Sequence, residues 1–349
     1  MKQAWAWVAW LVAVIAMLSI TRNPLYLVII VLCIIFVGVS LGGEGSNIRP
    51  PFSLWKFAGF IILLATGFNA LTSHYGHTVL FAIPGKVPLI SGNITIEAVV
   101  YGATNGLILT GMLAGFTVLN LALPVRDLIS LIPRAFFPVA VVTSIAVTYL
   151  PTTLKQFKQI REAQEVRGHQ MHGLRDWLPL LMPLLVGGLE HAMQLAEAMT
   201  ARGFASGGPE KGKHLLYARG LMLAGVLVLI AGWLLEIGTA IGYGWVLVSC
   251  GVILILLGLW LMGRQSRRTI YHRQHWDWQD GVGIFGAFAI VAVILFPAPA
   301  LGRETMYYDP YPALQAPDFS LVIGLALLGL LLPGLLVLIN SSNRIKYSK

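Results

Sequence analysis

What most restricts this chain is its succession of apolar runs, each of about 17 residues or more. A run of roughly 17 to 25 mostly apolar residues crosses the hydrocarbon core as one helix, and a helix satisfies its own backbone there. Eight such runs are read, at about 4–20, 25–41, 52–72, 96–121, 215–235, 243–262, 281–297 and 319–339. The expected fold is therefore an all-α polytopic membrane protein with about eight transmembrane helices. The composition agrees, because 57% of the 349 residues are hydrophobic and 11% charged, against about 25% charged in soluble domains. The N-terminus has one Lys and then the first apolar run, no small-residue cleavage site follows, and another span comes at once, so it reads as a retained span. The first two spans are joined by Thr21-Arg22-Asn23-Pro24 and read as a helical hairpin.

The formal net charge is +9, but the basic residues lie between apolar runs, which points to topology and not to nucleic acid. Lys and Arg mark cytoplasmic loops. With the N-terminus in the cytoplasm, all 24 Lys and Arg fall inside except Arg22, Lys86 and Arg303. Both termini are then cytoplasmic, and the location is the cell (inner, cytoplasmic) membrane. Cys33 and Cys250 fall inside spans and read as buried free thiols, with no disulfide or metal pattern. Outside, residues 73–95 alternate around Pro84-Gly85 and read as a short hairpin on the membrane face. Residues 298–318, rich in Pro and Tyr, read as an external loop.

The segment 122–214 is different. Lys155, Lys158, Arg161, Glu162, Glu165, Arg167, Arg175 and Asp176 stand close together. Each charge costs about 2.5–3.5 kcal/mol at the centre of a span, so this stretch does not cross. Crossing by the neighbouring run 135–150 would invert the positive-inside parity of everything after it, so that run and 177–195 read as in-plane or re-entrant helices. The expected organisation is an N-terminal membrane domain (1–121, four spans), a cytoplasmic layer of helices (122–214) and a C-terminal membrane region (215–349, four further spans).

Within that layer one phrase occurs twice. EAQEVRG (162–168) is answered 35 residues later by EAMTARG (197–203). Gly168 and Gly203 are natural helix stops, because Gly accepts the left-handed conformation after a C-cap. Arg167 and Arg202 then close two helices, where a cation favours the helix dipole by about 0.3–1 kcal/mol. Ala163 and Ala198, four residues earlier, share the Arg face and admit a close partner. The apolar stripes Leu150, Leu154, Phe157, Ile160 and Leu185, Leu189, Ala192, Ala196, Met199 have one-sided helical spacing and are expected to pack on the membrane-side helices. Two equivalent cationic tips suit a two-fold cytoplasmic partner, of which a dimeric ATPase is the simplest.

The paired Ala-x-x-x-Arg-Gly ends, with VTYLPTTLKQFKQIREAQEVRG, LEHAMQLAEAMTARGF, the TRNPLYL turn and the stretch TVLFAIP through ITIEAVVYG, resemble the transmembrane T component of energy-coupling factor (ECF) transporters, the CbiQ/EcfT family, over about residues 10–210. The resemblance implies a coupling subunit between two cytoplasmic ATPases, identical or different, and a small substrate-binding membrane subunit that takes up a vitamin or a metal ion. It implies that Arg167 and Arg202 dock in grooves of the two ATPases, that Ala163, Gly168, Ala198 and Gly203 shape the tips, and that this chain hydrolyses nothing. Residues 215–349 exceed many members of the family. They brace the coupling layer, replace part of a partner's surface, or bind anionic lipid through Arg264, Arg267, Arg268 and Arg273; for that basic loop, positive-inside topology alone is a sufficient reading.

An intramembrane enzyme is the rival of a different class. His74 and His77 near Glu97, and His169 with His172, have weak metal spacing with no dictated third ligand, so no catalytic, cofactor or metal residue is assigned. Glu190, His191 and Glu236 read as interface residues near helix ends. Asn69, Asn105 and Asn120 read as inter-helix hydrogen-bond donors. A conventional ABC permease would carry polar residues deep in several spans, and these spans are almost free of charge. No Gly-rich phosphate loop is present, so ATP belongs to another chain.

Overall fold

The computed structural model describes residues 3–42, 54–73, 75–83, 92–168, 173–204, 213–239, 244–265, 278–295 and 302–347. His74, Lys86, His169, His172, Arg267, Arg268 and Arg273 lie outside them. The elements are α1 (Ala4–Ile20), α2 (Pro24–Gly42), α3 (Leu54–Thr72), β1 (Val79–Ile83), β2 (Gly92–Thr95), α4 (Ile96–Ala122), α5 (Val125–Ile129), α6 (Phe137–Val166), α7 (Leu178–Ala201), α8 (Lys213–Thr239), α9 (Gly244–Gln265), α10 (Trp278–Leu295), α11 (Leu321–Leu327) and α12 (Leu332–Tyr347). Short 3-10 turns cover Arg134–Phe136, Leu174–Trp177, Arg303–Met306 and Leu328–Leu331. Within the described residues all eight apolar runs are largely helical, and the fold is all-α apart from one antiparallel pair of strands, β1–β2, which pairs Val79 with Thr95 and Ile83 with Gly92.

Six helical stretches among the described residues are long and apolar enough to cross a membrane: Pro24–Gly42, Ile96–Ala122, Leu178–Ala201, Leu216–Glu236, Gly244–Gly263 and Leu321–Ile339. Ala4–Ile20, Lys56–Thr72 and Asp280–Ala292 are shorter apolar helices. The chain divides into two compact units, one of residues 1–127 and 272–349, the other of residues 128–271.

In the first unit α4 is the central helix, because its glycines let three neighbours approach. Gly102 and Gly106, one turn apart, face α3 so closely that an added Cβ would lie 2.7 Å from Thr66 Cα and 2.8 Å from Ile62 Cα. Further along, Gly111 meets Leu18 and Val31, and Gly115 meets Leu11 and Val14. With no hydrophobic force between helices in lipid, such close backbone approach is what holds spans together. The hairpin α1–α2 is then covered by the chain's own C-terminal part. The Gln3 N–H donates to Asp280 Oδ1 (3.3 Å) and the Trp10 indole donates to Leu330 O (3.0 Å). Gly334 lies against Phe36 and Ser40.

The segment 302–320, most of it within the stretch 298–318 expected as an external loop, docks on the α1–α2 turn. The Asn23 amide donates to Thr305 O (2.8 Å) and Asp318 O (2.7 Å), the Thr21 hydroxyl donates to Met306 O (3.2 Å), and the Ser320 N–H donates to the Tyr26 hydroxyl (2.6 Å). Its Tyr311 shares a hydrogen bond with Ser73 (2.9 Å) and makes ring contacts with Tyr75 and Tyr101. Beside it Glu97, fully buried at the start of α4, accepts from the Thr78 N–H (3.1 Å) and the Thr78 hydroxyl (2.5 Å) and so anchors the approach to β1.

In the second unit α8 and α9 form an antiparallel pair. Gly244, Gly251 and Gly258 of α9 recur every seven residues and face Gly232, Gly225 and Ala218 of α8, with added Cβ atoms falling 2.6 Å from Gly232 O, 2.8 Å from Gly225 O and 3.2 Å from Ala218 O. Glu236 accepts the Gly244 N–H (3.1 Å) at the start of α9. Three local expectations are corrected. Cys250 is exposed, not buried like Cys33. The Asn69 amide donates to Ala65 O of its own helix (3.0 Å), not across to another. Most of the run 135–150 continues into the charged stretch, as far as Val166, as one helix, α6, in which Pro151 is the interior proline.

Candidate functional site

The two Arg-Gly phrases end the two helices α6 and α7 in the same way. Arg167 is the C-cap of α6 with φ −78°, and Gly168 follows at φ 81°. Arg202 is the C-cap of α7 with φ −85°, and Gly203 follows at φ 77°. The left-handed turn satisfies carbonyls left open at a helix end. The Gly168 N–H donates to Glu165 O (3.0 Å). At the second end the Gly203 N–H donates to Thr200 O (2.9 Å) and the Phe204 N–H to Met199 O (2.9 Å), which is a complete Schellman pair. Most residues with a Cβ are strained at these φ values, so the turn favours glycine at both positions.

Ala163, Arg167, Gly168, Ala198, Arg202 and Gly203 are all exposed. Among the described residues neither Arg167 nor Arg202 has an ion pair or a side-chain hydrogen bond. The nearby ion pair is Arg161 Nε to Glu165 Oε1 at 2.8 Å, one turn along α6.

Two ring contacts set how α6 and α7 meet. Tyr149 stacks on His191 with centroids 4.8 Å apart and planes at 9°. Phe157 stacks on Trp177, just before α7, at 6.3 Å and 19°. As α6 advances from 149 to 157, its partners retreat from 191 to 177, so the helices run in opposite directions. Arg167 lies ten residues beyond Phe157 and Arg202 eleven beyond His191, about 15 Å in each case at 1.5 Å per residue. The tips thus extend from opposite ends of the packed pair.

Among the described residues the leucines of the apolar stripes are exposed. Leu150 and Leu154 are 60% and 55% exposed, and their counterparts 35 residues on, Leu185 and Leu189, are both 65% exposed. Leu180 is the one buried residue among the described side chains of α7. Phe157 is half-buried, held by Trp177. The two helices thus repeat each other in their C-caps, left-handed glycines and exposed leucines. Sequence reasoning identified these tips but not the Tyr149–His191 and Phe157–Trp177 stacks that join their helices; the aromatic residues were visible, their partners were not. His77 is exposed, with its N–H donated to Pro312 O (3.3 Å), and no group of three or more His, Cys, Asp or Glu that would hold a metal occurs among the described residues.

Comparison with known proteins bears on the same region. Residues 3–215 match the family CbiQ, described as cobalt transport protein. The chain is similar to the energy-coupling factor transporter transmembrane protein EcfT of Ruminiclostridium cellulolyticum, 29% identical over 142 residues, 37% of this chain and 53% of that protein. The EcfT of Heliobacterium modesticaldum is 32% identical over 106 residues, 27% of this chain and 40% of that protein. The EcfT of Bacillus selenitireducens is 29% identical over 213 residues, 54% of this chain and 72% of that protein. The chain thus spans about half the length of the first relative.

Proposed function

Because this chain belongs to the CbiQ family of cobalt transport proteins, we propose that it is the transmembrane coupling subunit of an ATP-driven ECF-type importer. Arg167 and Arg202 dock in grooves of two cytoplasmic ATPase subunits, with Ala163 and Ala198 admitting the groove walls and Gly168 and Gly203 fixing the turn. ATP is bound and hydrolysed on those partners. Their closing and opening moves α6 and α7, and the motion passes to a small membrane subunit that binds a vitamin or a metal ion. The chain sits in the cell membrane with both termini and residues 122–214 on the cytoplasmic side.

The observation that carries this reading is the pair of identical exposed helix ends. A guanidinium docked on charged or carbonyl acceptors contributes about 1.5–3 kcal/mol, enough to transmit displacement when held at both ends of a helix pair. The remaining affinity comes from area along the helices, where the uncovered leucines lie. The relatives' names, which place them in energy-coupling factor transporters, support the assignment. The test is affinity purification of the tagged chain from its native membranes in mild detergent, alongside Arg167→Ala/Arg202→Ala. The expected result is ATPase subunits with the native chain and their depletion from the double variant. A native chain that brings down no ATPase in several detergents refutes the proposal.

A further inference from the structure

The strand pair β1–β2 is apolar where water would require polar residues. Val79, Leu80 and Phe81 follow one another and are 48%, 52% and 74% exposed, and Tyr75 just before them is exposed too. A strand with one face on a core and the other in water alternates apolar and polar residues. Here the pairing slips between Val79 with Thr95 and Phe81 with Ile94, so Leu80 is the extra residue of a bulge and the alternation breaks. The described residues 75–83 and 92–95 include no Asp, Glu, Lys or Arg. A run of exposed apolar residues of this kind marks a surface that meets something other than water.

The stem beneath that run is fixed. Glu97, buried at the start of α4, accepts from the Thr78 N–H (3.1 Å) and from the Thr78 hydroxyl. The Ile96 N–H donates to Thr78 O (3.0 Å), the Thr95 hydroxyl to Tyr75 O (3.2 Å) and the His77 N–H to Pro312 O (3.3 Å). Two observations then say what covers the apolar residues. The first is position: α3 ends at Thr72 and β2 runs straight into α4 at Ile96, so the strands begin where two apolar helices end. That is the level at which hydrocarbon gives way to headgroups. The second is the backbone: a sheet of two strands leaves one edge of each without ladder partners. Free edges do not occur in hydrocarbon, so the backbone stays among headgroups and water while the side chains reach the acyl chains. Tyr75, with an apolar ring and a polar hydroxyl, suits the same level.

We propose that β1–β2 is a lipid anchor. It lies at the boundary of headgroups and acyl chains in the leaflet at this end of α3 and α4, the outer leaflet in the orientation given above. Val79, Leu80 and Phe81 enter the acyl region and fix the depth of the helix pair, and the Glu97–Thr78 contacts keep them aimed there. The anchor is independent of the coupling reading and needs no ATPase. A protein partner seated on the same residues is the rival occupant.

The test is fluorescence quenching on the full chain in phosphatidylcholine vesicles. In a Cys250→Ser background, with the buried Cys33 left in place, Leu80→Cys or Phe81→Cys carries an environment-sensitive fluorophore. Ala316→Cys, exposed in the segment 302–320, carries the aqueous reference. Compared with that reference, the probes at 80 and 81 should be quenched several-fold more by lipid spin-labelled near the headgroup end of its acyl chain, and several-fold less by aqueous iodide. Iodide quenching equal to the reference overturns the anchor. So does protection that appears only when the chain is purified with partner proteins, which would assign the surface to one of them. On the unsubstituted chain, phosphatidylcholine with a photoreactive group at the top of its acyl chain should label the peptide holding residues 79–81. A chain labelled on α3 but not on that peptide also overturns the anchor. Failure to recover an ATPase would overturn the coupling reading and leave these results untouched.

Discussion

At the scale of single residues, the tips depend on a backbone conformation as much as on a guanidinium. Gly168 at φ 81° has no atom within 4 Å of the place a Cβ would occupy, so replacing it meets conformational strain and no clash. For an ordinary L-residue the left-handed conformation costs about 1–2 kcal/mol, and Asn tolerates it better. Gly168→Ala is therefore expected to fray the last turn of α6 and misdirect Arg167, while Gly168→Asn retains most docking. Hydrogen exchange at the amides of 165–168, with ATPase co-purification as the second readout, checks this. Equal behaviour of Ala and Asn would show that the left-handed turn is not what positions the arginine. The conformational part of this argument holds for Gly203 too, at φ 77°.

At the scale of elements, close glycine packing decides which helices pair. A Cβ on Gly251 would lie 2.7 Å from Leu229 N and 2.8 Å from Gly225 O, whereas on Gly220, in the facing helix, it meets nothing within 4 Å. Gly251→Ala should separate α8 from α9 and lower the melting temperature in detergent by several degrees, since overpacking costs about 1–3 kcal/mol. Gly220→Ala should leave it unchanged or raise it slightly, Ala being the better helix former by roughly 1 kcal/mol. A melting temperature that falls equally in both variants would refute the interface. The spans and the Arg-Gly ends were legible in the sequence because run length and cap chemistry are local. The seven-residue spacing of Gly244, Gly251 and Gly258 was present too, yet an apolar run announces its length and not which of its faces meets another helix. The union of 135–150 with the charged stretch was hidden for a related reason: parity of charge argues about crossing, and a helix can continue past that point with its charges exposed. Docking of 302–320 on Asn23 and Tyr26 joins residues nearly 300 positions apart, which no local pattern reports.

At the scale of the whole molecule, the two ends of the chain build one unit. The family match ends at residue 215, yet residues 280–334 supply partners for Gln3, Trp10, Thr21, Asn23, Tyr26 and Phe36 within the unit that the match begins. The polar contacts among these are buried or part-buried, and a carbonyl such as Leu330 O, deprived of the Trp10 donor, loses about 1–3 kcal/mol if it stays dry. The C-terminal part is thus held on α1–α2 by polar groups that are largely shielded from water, a condition that favours persistence after the covalent link is cut. With a protease site inserted between Tyr271 and His272 and cleaved after purification, residues 272–349 should remain with residues 1–271 through size exclusion in mild detergent. Asn23→Leu combined with Trp10→Phe, which removes three of the hydrogen bonds, should release a measurable fraction of the cleaved fragment while the uncut chain stays intact. Immediate separation of the unsubstituted cleaved protein would mean that the C-terminal helices are tethered by the chain and not by these contacts, and that the first unit is complete without them.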